Sequence, residues 1–242
     1  MKQITTKIIA HRGASGLVKK GNTLEAFQKA IDIHADGIEL DLRITKDNII
    51  CVHHDANIKD LIIKNYTYEE CLTKSLSLGY HLPTLKETLE LCQNKILLDI
   101  ELKEPGYEQE TIDLILNYYK EDQFFIRSFN YDALINVNRI NPNIFTFLLV
   151  GDSWKPVNEL LSEIFPSKLL KKTRASGISP IYRLLIFGYI RRMKKHKIPM
   201  SIWTLNTEKL LKKFLKKNVD YIVTDYPDVA ISLRESLNKK AK

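Results

Sequence analysis

Glu39 and Asp41 stand two residues apart in the run GIELDLRITKDNIICVHHD, from Gly37 to Asp55. The run predicts a strand, a tight turn at Asp47-Asn48 and a second strand folding back. Side chains along a strand point alternately to opposite faces, so the two carboxylates share one face. With a two-residue turn the pairing partner of Asp41 is His54, which brings two carboxylates and an imidazole into one small volume. Carboxylates held that close repel unless something positive compensates. The pattern points to a metal site with a catalytic histidine beside it.

The strand in KILLDIELK adds Glu101 and Lys103 on one face, with Asp99 a step deeper. Glu39, Asp41 and Glu101 then form a hard oxygen ligand set suited to Mg²⁺ or Ca²⁺ and not to a thiophilic ion. The competing arrangement is a set of ion pairs to Arg12, Arg43 and Lys103. Inward carboxylates at strand ends are costly to bury idle, which favours the cation. His11 and His54 are the candidate proton carriers, because imidazole titrates closest to neutral pH. His53 must point to the other face from His54, while His34, His81 and His196 fall in helical or loop contexts at the surface. Arg12 and Lys103 put positive charge on the rim of the same site, where an anion such as phosphate would sit.

Such residues need strands to aim them. Strand patterns recur at 7–12, 37–43, 95–103, 124–130, 144–151, 176–180, 200–206 and 220–227. Helical patterns lie between and after them, at 23–34, 84–93, 109–119, 131–140, 157–165, 183–197, 207–217 and 228–238. Strict alternation of strand and helix predicts a parallel sheet, and eight of each predicts a closed α/β (β/α)8 TIM barrel. A doubly wound open sheet is the alternative, but no G-x-G-x-x-G follows the first strand. Asn22-Thr23-Leu24-Glu25 predicts a capping box for the first helix. Residues 56–82 pattern weakly and predict a small hairpin or insertion above the barrel after strand 2. Gly151-Asp152-Ser153-Trp154 predicts a loop, and the basic stretch 167–174 a disordered or binding loop.

The 242 residues fit one domain of barrel size, 1–242, ending in a basic tail at 239–242. Cys51, Cys71 and Cys92 are too few for a disulfide framework and lack metal-ligand spacing, which suits a reducing compartment. No apolar run reaches the length of a membrane span, and MKQITTKIIAHRG is not a signal peptide. The expected location is the cytoplasm. The net charge of +8 collects in the second half. Its basic amphipathic stretches, 183–197 and 209–217, either form the solvated faces of outer helices or touch an anionic membrane peripherally. Nucleic acid is not an expected partner, since no aromatic platform interleaves the lysines.

The pieces IIAHRGAS, NTLEAF, GIELDLRITKD, VHHD, LPTLKETLEL, LLDIELK, IRSFN, WTLN and DYIVTDYPD together resemble the glycerophosphodiester phosphodiesterase family. They run in the family's order over nearly the whole chain. The combination is specific, whereas HRG or ELD alone would be weak. The resemblance implies a (β/α)8 barrel that hydrolyses glycerophosphodiesters to glycerol 3-phosphate and an alcohol with a divalent cation. By position it makes His11 and His54 the two catalytic histidines, and Glu39, Asp41 and Glu101 the metal ligands. Arg12 and Lys103 become phosphate contacts, and Trp203 an aromatic residue near the substrate, a role resting on the resemblance alone. Lys20-Gly21 stands where members carry Pro-Glu. Two rival readings are a lysophospholipase D acting on membrane lysolipids and a phosphodiester- or lipid-binding protein without turnover.

Overall fold

A computed structural model describes residues 3–151 and 156–240. The loop expected at Asp152-Ser153-Trp154 and the last two residues of the basic tail lie outside the described residues. Eight parallel strands ring the molecule: β1 (Lys7–Ala10), β2 (Gly37–Ile44), β6 (Leu97–Leu102), β7 (Phe124–Ser128), β8 (Phe145–Val150), β9 (Gly177–Pro180), β10 (Ser201–Ile202) and β11 (Tyr221–Thr224). They pair in the order β10-β11-β1-β2-β6-β7-β8-β9, so the first strand lies beside the last. Between β9 and β10 only isolated bridges close the ring, Ile178 to Met200 and Ile181 to Trp203. Pro180 and Pro199 lack the N–H groups that a full ladder would need there. Each strand starts and ends within a few residues of its expected bounds, and the (β/α)8 barrel is as expected.

The helices around the ring follow apolar periodicity. α1 (Leu24–Asp32) buries Ala26, Phe27 and Ala30, and α9 (Glu208–Lys216) buries Leu211, Phe214 and Leu215 under a lysine face. α3 (Leu85–Cys92), α4 (Glu108–Leu116), α5 (Tyr131–Ile140) and α10 (Pro227–Lys239) complete the expected set on this side. The caps differ in one place. Thr84 and Glu87 form a full capping box on α3, but on α1 the cap is Thr23, which accepts from Ala26 N–H. Asn22 is free for another task, and Glu25 makes no return bond to the cap.

Two further expectations are corrected. The stretch 167–174 is not a loop: α7 (Ser167–Thr173) buries Leu170 and Thr173 and packs against α5, following a separate helix α6 (Val157–Ile164). Its two buried positions lie three apart, a pattern that the lysines between them hide. The expected helix 183–197 is broken, because Phe187 and Gly188 both take left-handed backbone and α8 (Tyr189–Lys195) begins only after them. The excursion 56–82 holds the small hairpin β4 (Asn57–Ile58) and β5 (Leu61–Ile62), and also a capped helix, α2 (Tyr68–Ser77). Among the described residues no helix is long and apolar enough to cross a membrane.

The barrel lumen is filled in layers. At the end where the strands begin, Phe125, Phe147 and Tyr221 stack edge to face, with centroids 4.9–5.8 Å apart. Above them Arg127 of β7 forms an ion pair with Asp99 of β6 and donates to Ser201 Oγ of β10 at 2.9 Å. Buried ion pairs seldom stabilise a fold better than apolar packing would. The pair therefore matters for what lies on top of it: the carboxylates where the strands end.

Candidate active site

Parallel strands in register carry the acids. Asp41 of β2 pairs with Glu101 of β6, and Glu39 lies one inward step below Asp41. All three side chains are buried, and one oxygen from each lies within 4.8 Å of the others. Lys103 Nζ sits 2.6 Å from Glu101 Oε1 and 2.8 Å from Asp41 Oδ1. Arg12 Nε lies 3.5 Å from Asp41 Oδ2, which also accepts Asn22 Nδ2–H at 2.7 Å. Glu39 Oε2 accepts the backbone N–H of Arg12 at 2.9 Å. Two left-handed residues after β1, Arg12 and Gly13, turn the backbone so that this N–H faces the glutamate. A Cβ at Gly13 would lie 2.6 Å from the Ala26 backbone, so only glycine fits that turn.

The cluster is short of positive charge. Asp41 Oδ1 is buried without a hydrogen bond, although the Lys103 ammonium is close. Burial opposes ionisation of Asp41, but Lys103, Arg12 and His54 hold its carboxyl well below the usual range. Glu101 goes the other way. Burial, joined by the charges of Asp41 and Glu39 and opposed by Lys103, pushes it up to about 8. Arg127 lies under the same cluster, where burial lowers its pKa to about 10 against the pull of Glu39 and Asp41. Three convergent carboxylates, with only Lys103 and Arg12 set against them and Glu101 forced toward its protonated form, fit a hard divalent cation.

Two histidines flank the acids. His11 Nδ1 meets Asp225 Oδ1 at 2.6 Å, which leaves Nε2 facing inward, 3.9 Å from Glu39 Oε2. Asp225 also accepts from Ser15 Oγ at 3.0 Å and from Asn206 Nδ2. His54 Nδ1 meets Asp55 Oδ1 at 2.7 Å. Each imidazole thus has a carboxylate fixing its Nδ1 and its tautomer. Burial, then the Lys103 charge, lowers the pKa of His54 against the pull of Asp41.

The route by which His54 arrives differs from the expected one. β3 (Ile50–Val52) pairs Leu42 with Val52 and Arg43 with Cys51, so the partner of Asp41 is His53, whose N–H donates to Asp41 O at 2.9 Å. The turn is longer than two residues because the Thr45 hydroxyl binds Asp47 Oδ1 at 2.6 Å and accepts from Ile49 N–H at 3.0 Å. Beyond His53 the ladder ends. Arg43 Nη2 donates to His54 O at 2.8 Å and pairs with Glu104, so it holds His54 in place and takes no part in the acid cluster. His53 turns instead to Asp55 O at 3.0 Å and the Tyr80 hydroxyl at 3.3 Å. His34, His81 and His196 are exposed, as expected.

Two adjoining hollows, about 500 and 400 Å³, share His11, Arg12 and His54. The larger holds the acids and is walled by Phe129, Leu149 and Trp203. Trp203 donates to Ser179 O at 2.8 Å and packs edge-on against Phe129. The smaller is polar and includes Lys20, Gly21, Asp55 and Asp225. Lys20 lies 4.3 Å above the Tyr80 ring of the insertion. Every residue proposed from the sequence for the site therefore borders one connected space. Sequence reading did not give Asn22, Asp55, Arg127 or Asp225 a part in it. Asp225 at the end of a barrel strand and Arg127 opposite the inward Asp99 were the signals available.

The sequence model of the Glycerophosphoryl diester phosphodiesterase family matches residues 11–229. A glycerophosphodiester phosphodiesterase of Caldanaerobacter subterraneus subsp. tengcongensis is 31% identical, over 94% of this chain and 97% of its own. One from Bacillus altitudinis is 31% identical over 96% and 99%. The crystal structure of a glycerophosphodiester phosphodiesterase from Parabacteroides distasonis matches with a TM-score of 0.84 at 26% identity, covering 100% of both chains.

Proposed function

The chain belongs to the glycerophosphoryl diester phosphodiesterase family, and from that premise we propose that its pocket hydrolyses glycerophosphodiesters to glycerol 3-phosphate and an alcohol by two-histidine catalysis with a divalent cation. The observation that carries the reading is the cluster of Glu39, Asp41 and Glu101 with an imidazole on either side. The three carboxylates would hold Mg²⁺ or Ca²⁺, which supplies Lewis-acid stabilisation of charge on the phosphate oxygens.

The chain's own groups do the rest. Arg12, half-exposed at the junction of the two hollows, binds a phosphate oxygen by charge-assisted hydrogen bonds. Lys103, fixed between Asp41 and Glu101, adds a second positive charge on the same side. One imidazole takes the proton from the attacking hydroxyl, of water or of the substrate's own glycerol, and the other protonates the departing alkoxide. The lowered pKa of His54 keeps it neutral near pH 7 and suits it to the first task. Asp225 holds His11 through Nδ1 with Nε2 inward, and Asp55 holds His54 through its Nδ1. Trp203 and Phe129 give the substrate an apolar wall.

A panel of glycerophosphodiesters and one lysophospholipid, run with Mg²⁺, Ca²⁺ and chelator in parallel, tests the proposal. Release of glycerol 3-phosphate that chelation abolishes is expected. Binding without product would make the chain a non-catalytic relative, and product formed only from the lysolipid would make it a lysophospholipase D.

Glu101 supplies an independent check. Its folded pKa lies above the ordinary 4.5, so its stabilising contribution is complete below that value and lost as pH rises through about 8. Neutralising the cluster with a dication removes that loss. The rise in Tm on adding Mg²⁺ or Ca²⁺ should therefore be larger at about pH 9 than at about pH 6. An equal rise at both, or none, would count against a cation between these carboxylates.

A further inference from the structure

α6 inverts the usual order of an amphipathic helix: Glu163 is buried, while Val157 is 72% exposed and Leu160 and Leu161 also face outward. Val157, Leu161 and Phe165 follow at intervals of four, so they share one side. Phe165 is 51% exposed, and a second segment brings Ile186 and Phe187, the latter 73% exposed. Arg192 joins the two segments. Its guanidinium lies 4.6 Å over the Phe165 ring, donates to Ile164 O at 2.7 Å and donates to Phe187 O. Phe187 and Gly188 are both left-handed, with φ of 47° and 70°, between the buried anchors Leu184 and Tyr189. A phenylalanine takes that backbone only at a cost, and here it aims the ring at water. Single exposed apolar residues are ordinary, but a gathered patch marks an interaction surface.

Charge identifies the partner. From Ile164 to Thr207 the chain has ten lysines and arginines and no aspartate or glutamate. Arg183 and Arg191 flank Phe187 in the chain, Lys168 follows Phe165, and all three are exposed. Glu159, on α6, lies outside this acid-free run. An apolar tip with a cationic rim is the chemistry of a surface that meets anionic lipid. A second copy of the chain fits less well, since a two-fold contact would set the cations against themselves. The tip also lies at the right end of the barrel. Phe187 belongs to the loop after β9, at the end where barrel strands open onto their sites. Tyr182, at the start of that loop, donates its N–H to Trp203 O at 2.9 Å, and Trp203 walls the larger hollow.

We propose that the tip formed by Phe165, Ile186 and Phe187, with its arginine rim, docks this chain on an anionic lipid surface beside the pocket mouth. The docking stands apart from the hydrolase reading and is measured separately. Co-sedimentation compares phosphatidylglycerol–phosphatidylcholine vesicles with pure phosphatidylcholine vesicles, at low and high salt. Wild type should bind the anionic vesicles in a salt-sensitive manner and leave the neutral ones about tenfold or more less occupied. Phe187→Gly removes the ring and relaxes the left-handed backbone, so Tm should hold or rise while vesicle binding falls about tenfold or more. Arg183→Glu with Arg191→Glu should weaken binding similarly, and both variants should hydrolyse a soluble substrate as wild type does. No sedimentation of wild type with anionic vesicles overturns the proposal. Binding unchanged by both variants overturns it too, as does self-association that Phe187→Gly abolishes without any vesicle binding.

Discussion

Glu39→Gln is expected to lower kcat/KM on a glycerophosphodiester by about a thousandfold or more, the scale of the several kcal/mol that a cation supplies to a phosphoryl transition state. The fold should survive. Glutamine keeps an oxygen to accept the Arg12 N–H, which Glu39 now accepts at 2.9 Å. It also removes one of three negative charges held within 4.8 Å of each other, so the cation-free protein should melt no earlier than wild type. The rise in Tm on adding Mg²⁺ or Ca²⁺ should shrink sharply. Activity and cation response should therefore fall together while intrinsic stability does not. A folded variant with near-full turnover would sink the ligand assignment.

His11→Ala should cost roughly a hundredfold to ten-thousandfold in kcat, the usual range for a lost general acid or base. The side chain is half-buried and reaches from β1 to Asp225, so its removal leaves a polar gap and only a modest stability loss. The pH profile is the sharper readout: one limb should disappear, because one of the two proton carriers is gone. Asp225→Asn should show the same change in milder form. The imidazole remains, but the carboxylate that fixes its tautomer at 2.6 Å is lost. Equal losses in both variants with an unchanged pH profile would mean that His11 acts by packing and not by moving a proton.

Much of this was legible in the chain. Strand and helix alternate around the barrel, and the eight-fold count specifies a barrel because short parallel strands need crossover helices. The acids were legible for a local reason: period-two alternation puts Glu39 with Asp41, and Glu101 with Lys103, whatever the rest of the fold does. The misreadings were also physical. The returning strand was set one residue out of register because the Thr45 hydroxyl enlarges the turn, and His54 reaches the site through Arg43 and not through the ladder. The helix expected at 183–197 hid a left-handed break, since Phe187 is a residue type from which no sequence rule would predict that backbone. In 167–174 the charge run hid a short helix with two buried positions.

Sequence alone determined the fold class and the inward carboxylates, because strand periodicity is a property of neighbouring residues. Tertiary structure alone decided which groups tune them. Asp225 meets His11 only because β11 closes the ring beside β1, 214 residues away along the chain. Arg127 joins the acids only because β7 pairs with β6: the register sets it opposite Glu101, and its long side chain reaches back to the Asp99 carboxylate. Asn22 turns to Asp41 because Thr23 takes over the helix cap. Each of these partnerships depends on which strands become neighbours when the sheet closes, and no local pattern carries that information.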